Sequence, residues 1–168
     1  MYDDSYNSWY PASNNSGSNN LMLIIEDSEY DYEMLIREVK KSQIECKTHR
    51  CETGEEGLDY LQNRGEYQDK HKFIKPSLVL LDLNLPGTDG KEILANIKLD
   101  PVLKLIPVVV FSTSTNSKDI EYCYQKGVNA YIVKPMNIPL FQEYIKVLLL
   151  HWLKLNTTYI DTFPSYPD

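Results

Sequence analysis

Short apolar runs alternate with longer amphipathic stretches from residue 21 onward. Each run is bounded by polar or turn-forming residues, a pattern that is typical of a buried strand. The runs predict five strands, at 21–25, 44–51, 78–81, 107–111 and 130–133. The stretches that follow them carry apolar residues at helical spacing, so we expect a helix after each strand.

Five strands that alternate with five helices predict an α/β fold built on a doubly wound parallel sheet. Right-handed crossovers between parallel strands place the helices on both faces of such a sheet. Thr53 is expected to cap the second helix, and Pro101 to end the third. The last helix is predicted to span 138–155.

The composition predicts one domain with two tails. A chain of 168 residues, 42% of them hydrophobic, has material for one well-formed core. Residues 1–20 are mostly Asn, Ser, Tyr and Asp and bury little apolar surface, so we expect a disordered N-terminal tail. The domain is assigned to 21–155, and 156–168 is expected to be a C-terminal tail.

Charge and hydropathy argue against several classes of function. A net charge of -7 and a pI near 5.0 disfavour nucleic-acid binding through a basic surface. No apolar run approaches the roughly 20 residues that span a bilayer, and the polar start lacks the features of a signal peptide. We therefore expect a cytoplasmic protein that binds neither membranes nor nucleic acid. The cysteines show no CxxC pair and no metal-ligand spacing to the histidines, and we expect them to be free thiols: Cys46, Cys51 and Cys123.

Polar side chains follow four of the predicted strands at their carboxyl ends, where open parallel sheets bind their ligands. Each is unremarkable alone, because acids cap helices and hydroxyls commonly end strands. Their joint order indicates one site, since these strand ends meet at the same edge of the sheet. The residues are Glu26 and Asp27, Asp82, Ser112 and Thr113, and Lys134.

The residue types in this group predict phosphoryl chemistry on a metal. Three carboxylates in one pocket repel each other unless a cation keeps them ionised. Oxygen ligands without His or Cys favour Mg²⁺. An ionised Asp82 beside the metal could attack phosphorus, and Lys134 could neutralise the acyl phosphate that results. The Ser112 hydroxyl and the Thr113 backbone N–H could donate to phosphoryl oxygens.

Four segments, 23–28, 80–90, 111–113 and 131–135, resemble the signatures of two-component receiver domains. The resemblance covers about residues 21–150 and implies a flavodoxin-like receiver fold with strand order 2-1-3-4-5. It also implies that Asp82 is the phosphoacceptor and that Lys134 binds the phosphate. The implied Mg²⁺ ligands are Glu26, Asp27, Asp82 and the carbonyl of Asn84.

The same resemblance implies a switch and an unusual peptide bond. Ser112 would be the switch hydroxyl, and Tyr131 the aromatic residue whose rotamer follows it. The bond between Lys134 and Pro135 would be cis, a form that proteins reserve almost entirely for X–Pro bonds.

A narrower resemblance is to the small single-domain response regulators of cyanobacterial phytochromes. It rests on residues 83–86, 97–101 and 106–114 and on Trp152. It implies a histidine kinase partner of the phytochrome type, a phosphorelay function and output through protein contacts without an output domain. The long polar N-terminal segment departs from the compact form of that subgroup.

Three alternatives use a similar fold. A haloacid-dehalogenase-type enzyme needs an acid two residues after the nucleophile, whereas Asn84 cannot transfer a proton, so we expect slow dephosphorylation at most and no enzyme activity. A flavodoxin-like redox protein needs a phosphate-binding loop after the first strand, where Glu26 and Asp27 would repel phosphate. A pseudo-receiver is an interaction module that has the same fold but is not phosphorylated. Only the residues of the site distinguish it from a receiver.

The last predicted helix is apolar around most of its circumference, and we expect it to form a homodimer together with the fifth strand. The expected core stripe is Leu140, Phe141, Tyr144, Ile145, Leu148 and Trp152. The residues expected to face the second copy are Val147, Leu149, Leu150, Leu153 and Leu155. In the alternative, this face is covered by the C-terminal tail through Tyr159, Ile160, Phe163 and Tyr166.

Overall fold

The apolar runs form five parallel strands, and a helix follows each of them. The computed structural model describes residues 20–69 and 72–158. The strands are β1 (Leu21–Ile25), β2 (Lys47–Cys51), β3 (Leu78–Leu81), β4 (Val108–Ser112) and β5 (Ala130–Val133). The helices are α1 (Glu29–Ser42), α2 (Gly54–Gln62), α3 (Gly90–Leu99), α4 (Ser117–Gln125) and α5 (Ile138–Leu149). The sheet order is β2-β1-β3-β4-β5, which confirms the prediction.

Both predicted tails fall largely outside the described residues, which include only Asn20 of the first and residues 156–158 of the second. The alternative in which the C-terminal tail covers the last helix rests on residues beyond 158 and lies outside them too. No helix within the described ranges is long and apolar enough to cross a bilayer.

A polar side chain caps the start of each α-helix. Thr53 accepts a hydrogen bond from the backbone N–H of Glu56 at 3.2 Å, as predicted. The same kind of bond satisfies a first-turn N–H of each of the other four helices. The residues that accept these bonds are Ser28, Asp89, Asn116 and Asn137.

The sheet divides the core into two layers. One layer packs α2, α3 and α4 against one face of the sheet, and the other packs α1 and α5 against the opposite face. Alternate residues of a strand therefore enter different layers; Leu23 and Ile25 lie in the first and Met22 and Ile24 in the second. The strand ends are thus held between helices on both sides.

The bounds of β2 and β4 differ from the prediction, and β4 begins at Val108 rather than at residue 107. β2 begins at Lys47 rather than at residue 44, because its pairing starts opposite Leu21, the first residue of β1. Ile44 and Cys46 still pack on the core without strand pairing. β4 extends to Ser112, which pairs with Val133, so the predicted switch hydroxyl lies inside a strand.

The last helix has the predicted span, 138–155, but changes type along it. α5 ends at Leu149, and Leu150–Leu155 continues it as a π-helix. Leu149 is fully buried and Leu153 is 8% exposed, and both pack in the protein's own core. Their assignment to the surface facing a second copy was therefore wrong.

The exposed apolar stripe lies on the neighbouring side of the helix. Leu140 and Tyr144, which were assigned to the core, are 37% and 39% exposed. Helical geometry explains the exchange, since 141, 145, 148 and 149 share one side and 140, 144 and 147 the next. Val147, Leu150 and Leu155 are exposed as predicted.

Candidate functional site

The carboxyl ends of β1 and β3 bring three predicted carboxylates together. One oxygen each from Glu26, Asp27 and Asp82 lies within 4.8 Å of the others. Glu26 and Asp82 are buried, with 5% and 6% of their surface exposed, whereas Asp27 is exposed. The group is therefore a small acidic pocket with one side open to solvent.

Lys134 follows β5 and reaches across the pocket as its only buried cation among the described residues. Its Nζ lies 2.7 Å from Glu26 Oε2, 2.7 Å from Asp82 Oδ2 and 2.8 Å from Asp31 Oδ2. The backbone N–H of Lys134 donates to the carbonyl of Ser112 at 2.8 Å, which anchors the residue to the end of β4. One ammonium thus faces three carboxylates.

Burial and neighbouring charges shift the pKa values of two groups in the pocket. Burial raises the pKa of Glu26 to about 7; the charge of Lys134 opposes the rise and that of Asp82 adds to it. Burial alone would lower the pKa of Lys134, but Glu26 and Asp82 raise it above its ordinary value. The pocket therefore holds its lysine charged and can accept another positive charge.

The hydroxyl residues at the end of β4 are hydrogen-bonded to Asn84, two residues after Asp82. The side-chain amide of Asn84 donates to Ser112 Oγ at 3.3 Å and to Thr113 Oγ1 at 3.0 Å. The backbone N–H of Asn84 donates to Asp82 Oδ1 at 3.1 Å. Both oxygens of Asp82 are thus oriented, one by Lys134 and one by the backbone.

The predicted switch pair is not in direct hydrogen-bond contact. The Tyr131 hydroxyl donates to the carbonyl of Ser114 at 3.0 Å, and the Ser112 hydroxyl is fully buried. Ser114 Oγ donates to Asp119 on α4 at 2.8 Å. Ser114 therefore connects the ring of Tyr131 to α4.

The resemblance implied a cis bond between Lys134 and Pro135, and this expectation was wrong for the structure. The peptide bonds within the described residues are all trans. Trans is the lower-energy form of an X–Pro bond by about 0.5–1 kcal/mol.

Three residues that contribute to the site were not predicted from the sequence. Asp31 occupies the third position of α1, where an acid is an ordinary helix-capping residue, so its ion pair with Lys134 left no distinct pattern. Arg50 lies on β2 with no motif around it. Its Nε donates to the carbonyl of Glu26 and its NH2 nitrogen to that of Asp27, each at 3.0 Å. Its guanidinium also lies 4.6 Å from the centre of the Tyr32 ring. Arg50 therefore holds Glu26 and Asp27, the acidic loop after β1, in place.

Gly90 is the third of these residues. It lies in segment 80–90, one of the four receiver signatures, but its close approach to the backbone of Asp82 and Leu83 is visible only in the structure. A Cβ added at this position would lie 2.4 Å from the Asp82 carbonyl oxygen and 2.6 Å from Leu83 Cα. Both are backbone atoms that cannot rotate away. Gly90 therefore allows α3 to start directly against the backbone of Asp82.

This fold and this arrangement of strand-end acids, hydroxyl and lysine define a class of signalling module. Residues 22–146 match the family described as the response regulator receiver domain, and the chain belongs to that family. The response regulator Rcp1 of Synechocystis sp. is 37% identical over 145 residues, which cover 86% of this chain and 97% of that protein.

Two solved structures extend the similarity. The Mn²⁺-bound form of Rcp1 has a TM-score of 0.79 and 37% identity, covering 83% of this chain and 98% of that one. The phosphorylated cyanobacterial phytochrome response regulator RcpA has a TM-score of 0.80 and 37% identity, covering 84% and 99%. The predicted fold, the predicted family and the resemblance to phytochrome response regulators are confirmed.

Proposed function

We propose that this chain receives a phosphoryl group on Asp82, with the help of Mg²⁺, and transmits the signal through contacts of its surface. The proposal rests mainly on the buried ammonium of Lys134. It lies 2.7 Å from Asp82 and also contacts the carboxylates of Glu26 and Asp31. A lysine in this position neutralises a phosphoryl group that is attached to Asp82.

The chemistry is a transfer between two nucleophiles. A carboxylate oxygen of Asp82 forms a bond to phosphorus while the bond between phosphorus and an imidazole nitrogen of the kinase breaks, and the imidazole takes up a proton. The product is an acyl phosphate. Lys134 would stabilise its negative charge, and the Ser112 hydroxyl and the backbone N–H of Thr113, which follows β4, would donate to its oxygens.

The donor atoms of the pocket fit Mg²⁺. They are carboxylate oxygens from Glu26, Asp27 and Asp82, and we assign the carbonyl of Asn84 to the same set. Burial raises the pKa of Glu26, and a cation bound beside it would favour the ionised carboxylate. When bound, Mg²⁺ would reduce the repulsion between Asp82 and an incoming phosphoryl group.

We assign the phosphoryl donor to a histidine kinase of the phytochrome type. The assignment is supported by the 37% identity to Rcp1 and to RcpA, whose structure is that of a phosphorylated phytochrome response regulator. Because Asn84 cannot act as a general acid or base, phosphate loss should be slow. The chain is then a signal carrier and not an enzyme.

The signal is proposed to leave through the surface around α4 and β5. Phosphorylation would draw the Ser112 hydroxyl toward the phosphoryl group and allow Tyr131 to move away from the carbonyl of Ser114. The contact between Ser114 and Asp119 carries that change to α4. Ser112→Ala should still accept phosphate but show a smaller change in partner affinity, measured by titration with the cognate kinase.

We also propose a homodimer through the last helix and β5. Its surface differs from the one expected from the sequence, because Leu149 and Leu153 are buried. The exposed apolar residues Leu140, Tyr144 and Val147 form a stripe along α5, and a groove beside it contains Ile132 of β5 and Trp152. A contiguous exposed apolar surface of this kind is typical of an interface, and twofold pairing is its commonest symmetric form.

Incubation with a small-molecule phosphodonor tests the central proposal. Intact mass spectrometry should show the addition of one phosphoryl group in the presence of Mg²⁺ and none after Mg²⁺ is chelated. Asp82→Asn should abolish the addition. Asp89→Asn, which keeps a capping residue on the exposed side of the same loop, is the control and should react like the wild type. Phosphorylation of Asp82→Asn would contradict the assignment.

A further inference from the structure

A second group of metal-binding side chains lies on β2, outside the phosphorylation site. His49 and Cys51 are two residues apart and point to the same face of the strand, and Glu56 lies in the first turn of α2. One ligand atom from each lies within 4.8 Å of the others. The spacing of cysteines and histidines did not predict this group, because the third ligand is a carboxylate from the next element.

His49 has an unused nitrogen that faces the protein interior. Its Nε2 is buried and has no hydrogen-bond partner in the structure. Its ring lies 4.6 Å from that of Tyr60 and 5.6 Å from that of Tyr67, which restricts its rotation. A buried nitrogen without a hydrogen-bond partner destabilises a folded protein and is uncommon. The Nε2 atom of His49 is therefore available to bind a metal ion.

Glu56 is held in place by two donors. The Tyr67 hydroxyl donates to its Oε1 and the backbone N–H of Glu52 to its Oε2, each at 2.8 Å. In the described part of the chain no Lys or Arg forms an ion pair with Glu56. Hydrogen bonds that orient a carboxylate in this way are the usual support of a metal ligand.

We propose that His49, Cys51 and Glu56 bind a Zn²⁺ ion. Nitrogen, sulfur and carboxylate oxygen are its preferred ligands, and three protein ligands leave one position for water. Mg²⁺ does not favour sulfur or imidazole, which separates this site from the acidic pocket. Ligands of a tetrahedral zinc lie about 3.5 Å apart, so side-chain movements of about 1 Å complete the geometry.

The ion would join β2 to α2. Cys51 is fully buried, and burial raises the pKa of its thiol well above the usual range. Because cysteine binds zinc as the thiolate, binding should release one proton and become stronger as the pH rises. The proposed function does not depend on this site.

Equilibrium dialysis of the full chain against zinc, with Mg²⁺ in excess to occupy the acidic pocket, tests the proposal. One equivalent of zinc should bind. Cys51→Ser and Glu56→Gln should each weaken binding by at least about a hundredfold, since both remove a direct ligand. Cys46→Ser is the matched control and should bind zinc like the wild type. Circular dichroism of each variant shows whether it has folded.

Cobalt provides a second measurement on the wild-type chain, which avoids any folding defect of the variants. Co²⁺ bound to a thiolate gives a charge-transfer band in the near ultraviolet, and zinc should remove that band. A cobalt complex without the band would overturn the proposal. Zinc binding that is unchanged in Cys51→Ser, or lost only in Asp82→Asn, would also overturn it, because the ion would then lie in the acidic pocket.

Discussion

Removal of the lysine in the acidic pocket should destabilise the protein in a way that depends on pH and on Mg²⁺. Lys134→Met keeps much of the aliphatic chain but leaves Glu26 and Asp82 buried without their cation. Breaking a buried ion pair from one side costs about 3–5 kcal/mol. Because Glu26 already has a pKa of about 7, it can take up a proton near neutral pH, which places the expected cost at about 3 kcal/mol.

The pH dependence has a definite sign. In the variant the folded state holds the proton of the Glu26 carboxyl group more tightly than the unfolded state does, because the group is buried without its cation. This contribution to stability is present below the unfolded pKa of Glu26, near 4.5, and is lost as the pH rises through the folded value. The variant should therefore be closer to the wild type at pH 5 than at pH 8, and Mg²⁺ should restore part of the loss at pH 8.

Urea denaturation followed by circular dichroism, with and without Mg²⁺, measures these differences. Lys91→Met is the matched control, because the ion pair of Lys91 with Asp119 is only partly buried and should contribute no more than about 1 kcal/mol. If Lys134→Met were as stable as the wild type at pH 8 in a chelator, Lys134 would not be neutralising buried carboxylates, and the electrostatic account of the pocket would fail.

Four further predictions follow from particular contacts. Gly90→Ala should lower the free energy of unfolding by about 1–3 kcal/mol in urea titrations, because its Cβ would clash with the backbone of Asp82. Arg50→Ala should weaken Mg²⁺ binding by about 10–100-fold in calorimetric titrations. If the variant bound Mg²⁺ as tightly as the wild type, the hydrogen bonds from Arg50 to the acidic loop would not be needed for binding. Mg²⁺ affinity of the wild type should fall as the pH is lowered through about 7, where Glu26 takes up a proton; a constant affinity between pH 6 and pH 8 would argue against this ligand. Val147→Glu should dissociate the dimer in sedimentation experiments while Tyr30→Glu, equally exposed on α1, should not, and a monomeric wild type in both phosphorylation states would refute the dimer.

Much of the fold was predictable because buried parallel strands are short apolar runs that local sequence reveals. The start of β2 was not, since Ile44 and Cys46 are apolar but lie before the first residue of β1 that can pair. The exposed face of α5 was mispredicted for a related reason. Leu149 and Leu140 are equally apolar, and only the packing of the helix against the sheet decides which of them is buried.

The site could be predicted to the extent that its residues follow strands. Asp82 and Lys134 each end an apolar run, so the parallel order of the sheet places them at one edge. Asp31 and Arg50 act through contacts with residues distant in sequence, and neither has a local pattern that differs from an ordinary surface charge. The unused nitrogen of His49 is likewise visible only once the rings around it are packed.

The most direct test of the central claim is to locate the phosphoryl group after transfer from a phytochrome-type histidine kinase. Borohydride reduces an acyl phosphate on aspartate to homoserine, and peptide mass spectrometry then identifies the position. Homoserine is expected at residue 82 only, in a reaction that requires Mg²⁺. Homoserine at Asp27 or Asp31, or transfer that proceeds equally well without a divalent cation, would contradict it.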